Sequence, residues 1–211
     1  MRKFLGWAAA IGVIGAAGVI LFAFWDLDWR WRPHTITKHQ QEIAQILAQA
    51  GWVSPRLTGP TLYMVSFRAC PDCIRFERES LPKLQAASVD TRVIMVALRD
   101  RNGQARSTPA ERATVAELWI NRSWKLFQQW SQGAPEAWTA AGLAPADGDA
   151  ARMAVVEASR SLTERLAPLL QDNGIRFAYP TLVWWTKDGR MRGCACESAK
   201  SYRYVEQELG A

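Results

Sequence analysis

A chain of 211 residues has room for one packed domain and an additional segment. Its 26 Lys and Arg outnumber its 20 Asp and Glu, for a net charge of +6. The two signs are interspersed and no basic block occurs, which excludes nucleic acid as the expected partner.

After Met1-Arg2-Lys3, residues 4–25 carry no charge. As a helix this run measures about 33 Å, enough to cross a hydrocarbon layer of about 30 Å. A cleaved leader has a shorter apolar stretch and ends in a small-x-small site, whereas this run ends in Phe24-Trp25 and holds Ala16-Ala17-Gly18 in its interior. Residues 1–25 therefore read as a cytoplasmic tip and an uncleaved transmembrane anchor. Arg2 and Lys3 favour a cytoplasmic N-terminus, while Asp26, Asp28, Arg30 and Arg32 beyond the span cancel, so the remainder is exported. Residues 26–36 read as a juxtamembrane linker, and Trp25, Trp29 and Trp31 suit the membrane–water boundary. Ala8, Gly12 and Ala16 have helix-pairing spacing, which an Ala- and Gly-rich segment also offers by chance.

In the exported part, Thr37-x-x-Gln40 has the form of a capping box, and Ile43, Ile46, Leu47 and Ala50 recur at helical spacing up to Gly51. This predicts a helix over 37–50. Leu62–Phe67 and Thr91–Leu98 are short apolar runs rich in β-formers, and the helix between them, carrying Ile74, Phe76 and Leu81 up to Pro82, implies a parallel βαβ unit. From 100 to 173 no strand-like run occurs. Thr108-Pro109-Ala110-Glu111 is a capping box with Pro at the first helical position, predicting a helix to Gln132 with Leu118, Trp119, Trp124, Phe127 and Trp130 on its apolar face. Glu136–Ala141 and Ala150–Gln171 read as further helices, the latter with breaks expected near Ser161 or Pro168. Asp188-Gly189 between two β-rich runs, Tyr179–Thr186 and Met191–Cys194, predicts a hairpin, and Glu197–Leu209 a closing helix. The tryptophan-rich face reads as core in preference to a peptide groove.

Cys70-Pro71-Asp72-Cys73 sits at the junction of the first strand and its helix. A cysteine opening a helix meets unpaired N–H groups and the positive end of the dipole, which stabilise the thiolate. Two intervening residues let the second sulfur attack a mixed disulfide formed at the first. This pattern reads as a dithiol exchange site.

The element order, with the run Cys70–Glu77 and Tyr179-Pro180-Thr181 ahead of the Asp-Gly hairpin, resembles the thioredoxin superfamily, and most closely its Dsb-type periplasmic disulfide oxidoreductases. The resemblance covers roughly residues 37–211. It implies an α/β thioredoxin-like fold with a helical insert at about 104–174, here preceded by one N-terminal transmembrane helix. It further implies Cys70 as nucleophile, Cys73 as resolving thiol, and Pro180 as a cis-proline flanked by Tyr179 and Thr181, whose backbone receives the substrate peptide as an added strand. The sequence departs from the pattern at Asp72, where strongly oxidising members carry histidine. A carboxylate there disfavours the thiolate, while Arg68, Arg75 and the helix terminus beside Pro71 favour it, so the direction of electron flow stays open.

Cys194-Ala195-Cys196 lies outside the family pattern. In the implied topology it borders the active-site groove, and three readings are open: a second redox pair in exchange with Cys70, a local bridge or spectator thiols, or a metal site of four thiolates. His34 and His39 precede the sheet and read as solvated or packing residues. Asn121-Arg122-Ser123 fits a glycosylation sequon in the middle of a predicted helix, where it reads as coincidence.

The expected protein is a membrane-anchored thiol:disulfide oxidoreductase of the bacterial inner membrane, single-pass, with its catalytic domain in the periplasm. It is expected to act on cysteine-containing exported proteins with a redox partner protein, holding neither a cofactor nor a resident metal. Two other readings compete: a metal-binding or assembly factor using both cysteine pairs on the same scaffold, and a domain that only recruits partners through its Trp-rich insert.

Overall fold

The computed structural model describes residues 18, 19 and 21–211. Most of the expected span at 4–25 lies outside the described residues, and among the described residues no helix is long and apolar enough to cross a membrane. The chain divides into two compact units, Met1–Arg32 and Pro33–Ala211. In the described part of the first, residues 21–27 are helical and Trp29–Trp31 form a 3-10 turn. Asp26 pairs with Arg30 at 3.0 Å and Asp28 with Arg32, so the four charges beyond the apolar run cancel as neighbours one turn apart. Phe22, Phe24, Leu27 and Trp29 are exposed.

The second unit is built on one five-stranded sheet in the order β1 (His34–Thr35), β5 (Met191–Ala195), β4 (Thr181–Trp185), β2 (Thr61–Ser66), β3 (Asp90–Met95). The expected parallel pair is β2 and β3, in register from Thr61 opposite Asp90 to Ser66 opposite Met95, and every other neighbouring pair is antiparallel. The sheet starts at His34, before the expected start of the domain at 37.

Side chains alternate across β2 and β4 because the strand period is two. Leu62, Met64, Leu182 and Trp184 face one core, and Tyr63, Val65 and Val183 the other. The first core is closed by α2 (Pro71–Glu79), α3 (Leu81–Ala86) and α7 (Ala199–Leu209), which bury Phe76, Leu84 and Val205. The second is closed by Ile43 and Leu47 of α1 (Gln40–Gln49) and by Leu162, Leu166 and Leu170 of α6 (Ala150–Gln171). The insert adds α4 (Pro109–Asn121) and α5 (Trp124–Gln132), whose Leu118, Phe127 and Trp130 are buried in the first core. That burial assigns this stripe to the core, as its spacing suggests.

Several local expectations give way to tertiary contacts. α1 starts at Gln40 after His39 in the left-handed region, and no capping box forms at Thr37. The amides of Thr37 and Lys38 instead donate to Asn173 Oδ1 at 2.8 and 2.9 Å. The Thr108–Glu111 box does form, but the helix it starts stops at Asn121. Arg122, at φ 50°, turns the chain, and Ser123 caps α5 by accepting the Leu126 amide at 3.2 Å. Arg122 is held by donating to the Ala50 carbonyl at 3.1 Å and by stacking on Trp52 at 4.6 Å. Glu136–Ala141 is not a helix, only a 3-10 turn at Pro135–Ala137. Pro168 lies within α6 without breaking it, and Pro82 lies in the first turn of α3, where a missing N–H is harmless.

Candidate active site

β2 ends at Ser66, and the chain reaches α2 through Phe67–Ala69. Cys70 is the N-cap of α2 and Pro71 occupies its first turn. Cys70 thus stands one position ahead of the helix, still facing the free N–H groups: the Cys73 amide donates to Cys70 Sγ at 3.1 Å. This is an N-cap bond in which sulfur replaces oxygen, and it strengthens when that sulfur becomes a thiolate. Cys70 and Cys73 form a disulfide with Cα atoms 5.2 Å apart. Both are buried, Cys70 being 3% and Cys73 0% exposed.

The Tyr179–Pro180 bond is cis. The Tyr179 carbonyl oxygen lies 3.6 Å from Cys70 Sγ, placed to accept from the thiol when the pair is reduced. Thr181 is fully buried, its backbone is paired with Val65 and Ala195, and its hydroxyl donates to the Ala178 carbonyl. The Thr181 side chain is thus turned away from any arriving peptide. Tyr179 stacks edge-on against Phe67 at 4.9 Å and Phe177 at 5.3 Å, an aromatic wall beside the disulfide. Burial pushes the Tyr179 phenol up, against Thr163 and the Arg106 guanidinium, which lower it.

Asp72 and Arg75, whose charges oppose each other at the thiols, form an ion pair at 3.1 Å. The Tyr202 hydroxyl donates to the Asp72 carbonyl at 3.1 Å, and burial pushes that phenol up to about 12. Arg68 is buried and donates to the Gly133 carbonyl, which ties it to the end of α5. Burial lowers its pKa, opposed by Glu77, Glu111 and Glu136. Glu77, which sequence reading passed over, stands one turn beyond Cys73, and burial pushes its carboxyl up to about 7 against the opposing charge of Arg68. The signal was available: an acid four residues after Cys73 shares its helix face.

Cys194 and Cys196 form a second disulfide, with Cα atoms 5.2 Å apart. Cys194 stands opposite Leu182 in the β4–β5 ladder, and the Cys196 amide donates to the Pro180 carbonyl at 2.9 Å. The pair is buried beside the Pro180 loop. Among the described residues, no group of three or more His, Cys, Asp or Glu side chains is arranged to hold a metal ion. His39 faces Asp172 at 3.0 Å in the α1–α6 region and takes no part in this site.

No protein-family model matches the chain, and no curated protein matches it in sequence. Solved structures do match. A linker-deletion variant of Proteus mirabilis ScsC aligns with TM-score 0.52 at 12% identity, over 99% of this chain and 93% of its own. Salmonella enterica Typhimurium BcfH aligns with TM-score 0.51 at 15% identity, over 100% of this chain and 90% of its own. The catalytic domain of Proteus mirabilis ScsC aligns with TM-score 0.50 at 15% identity, over 81% of this chain and 94% of its own. At this level of identity the likeness establishes the fold, a thioredoxin-like sheet with inserted helices.

Proposed function

We propose that this protein is a thiol:disulfide oxidoreductase that exchanges disulfides with exported, cysteine-containing proteins through Cys70 and Cys73. The observation that carries the reading is the position of Cys70: at the N-cap of α2, bridged to Cys73, with its sulfur 3.6 Å from the carbonyl that precedes the cis-proline. A substrate thiolate attacks Cys70 Sγ, the Cys70–Cys73 bond breaks, and Cys73 leaves as a thiolate that takes a proton. A second substrate thiolate then attacks the substrate sulfur of the mixed disulfide and releases Cys70, whose thiolate is held by the Cys73 amide. The reverse sequence reduces a substrate disulfide. Tyr179 supplies backbone beside Cys70 for an extended substrate segment.

The anchor belongs to the same proposal: residues 4–25 hold the domain at the bacterial inner membrane, on its periplasmic side. Support comes from the uncharged run and from the exposed Phe22, Phe24 and Trp29 near its end. The test is exchange with insulin or glutathione by the protein and by its Cys70→Ser variant. Loss of at least 100-fold is expected, since only a thiolate at this position attacks or is attacked productively. Undiminished exchange removes Cys70 from the nucleophile's role.

A further inference from the structure

We infer that the Cys194–Cys196 disulfide is an internal redox partner of Cys70 and Cys73, exchanging two electrons with them directly. The inference rests on the exchange reading of Cys70 and extends it to a second centre.

Three observations carry it. The first is burial: Cys194 is 5% and Cys196 0% exposed, as closely enclosed as Cys70 at 3% and Cys73 at 0%, so both bridges lie within one packed core. The chain's other two cysteines are Cys70 and Cys73, so the thiols enclosed with this bridge are those of the exchange pair.

The second is position. Met64 opposes Leu182, and Leu182 opposes Cys194, so all three lie on the sheet face that α2 covers, in the core that also holds Cys70 and Cys73. Two successive carbonyls link the centres. That of Tyr179 lies against Cys70 Sγ at 3.6 Å, and that of Pro180 accepts the Cys196 amide at 2.9 Å.

The third is topology. A bridge that encloses only Ala195 constrains the unfolded chain less than almost any other disulfide, because the stabilisation grows with loop length. These residues are already held in the β4–β5 ladder and by the Pro180 carbonyl. A purely structural bridge has little to add here.

The step balances without an outside reagent. The Cys70 thiolate attacks one sulfur of the Cys194–Cys196 bridge, the bond between them breaks, and the other sulfur leaves as a thiolate. The Cys73 thiolate then attacks Cys70 Sγ, re-forms the Cys70–Cys73 bond and releases the second thiolate. Both thiolates of the 194/196 pair take protons, so Cys70 and Cys73 are oxidised and Cys194 and Cys196 reduced. The reverse transfer follows the same path, and the centre stores one pair of electrons between encounters with substrate.

Reduced thioredoxin, offered to the protein with and without Cys70 and Cys73, tests the path. The native full-length protein and its Cys70→Ser/Cys73→Ser variant are each treated with it, and free thiols are located by alkylation and peptide mapping. The expected result is that all four cysteines of the wild type become alkylated, while Cys194 and Cys196 of the variant stay bridged and are reduced at least 10-fold more slowly. Reduction of Cys70 and Cys73 alone in the wild type overturns the relay and leaves the exchange reading standing. Equal reduction of Cys194 and Cys196 in both proteins also overturns it, and no reduction anywhere in the wild type removes the exchange reading as well. A second measurement does not depend on the double variant. Oxidised after full reduction, Cys73→Ser is expected to yield a cross-link from Cys70 to Cys194 or Cys196, a bond that needs Cα atoms within about 7 Å. Recovery of only the Cys194–Cys196 bridge with a free Cys70 overturns the inference.

Discussion

Asp72 and Arg75 neutralise each other at the start of the helix that Cys70 caps, and both are partly exposed, so water screens the pair. Replacing Asp72 by Asn leaves Arg75 and the terminus of α2 unopposed, which favours the Cys70 thiolate and hence the reduced form. The reduction potential is expected to rise by on the order of 30 mV, equivalent to a tenfold change in the exchange equilibrium. Arg75→Gln is expected to move it the other way. Equilibration in glutathione buffers measures both, and a shift of the same sign in the two variants removes the charge argument. Glu77 bears on stability. Its carboxyl is raised from 4.5 to about 7 by burial, so the folded state binds a proton more tightly than the unfolded chain. The stability this contributes is fully present below pH 4.5 and is lost as pH rises through 7. At ~1.4 kcal/mol per unit the loss is on the order of 3 kcal/mol. Urea unfolding at pH 4.5 and pH 8 is expected to show this decline in the wild type and a much flatter profile in Glu77→Gln.

At the scale of elements, the insert is joined to the sheet by close packing between α4 and the turn after α1. Trp119 donates its indole N–H to the Met95 carbonyl at 2.7 Å, and its ring and backbone lie over Gly51. A methyl group at Gly51 meets Trp119 Cγ at 2.4 Å and its Cα at 2.6 Å. Because backbone cannot swing aside as a side chain can, Gly51→Ala is expected to cost about 3 kcal/mol, read as a lower thermal midpoint with exchange per folded molecule unchanged. This contact also marks where sequence reading stops. The parallel pair, the cysteine helix, the Thr108 cap and the Asp188-Gly189 turn, with Gly189 at φ 80°, were legible because each is encoded within a few neighbouring residues. What was not legible depends on distant partners. Asn173 takes the amides that a Thr37 cap was expected to serve, and Ala50 and Trp52 hold the Arg122 turn that splits the predicted long helix. The site divides in the same way. Cys70, Cys73 and the Tyr179-Pro180 pair carry motif signals, whereas the Phe67–Tyr179–Phe177 wall and the burial of Glu77 exist only once the sheet has formed.

At the scale of the molecule, Pro33–Ala211 is compact in itself. A fragment of those residues is expected to remain in solution after cell fractionation and to retain exchange within twofold, while the full chain sediments with membranes. Sedimentation of the fragment removes the anchor from residues 4–25. The sheet's two margins matter in a different way. On one side β1 is only two residues long, and on the other Val53 exchanges both backbone hydrogen bonds with Val93 of β3, at 2.9 and 2.8 Å. Neither edge offers a long row of free amides to another extended chain. A protein that exchanges disulfides with exported chains, as proposed above, meets extended, strand-forming polypeptide. Under the proposed exchange function, blunt margins would leave the Tyr179 loop as the landing place for an extended client, and pairing along the sheet edges would be suppressed.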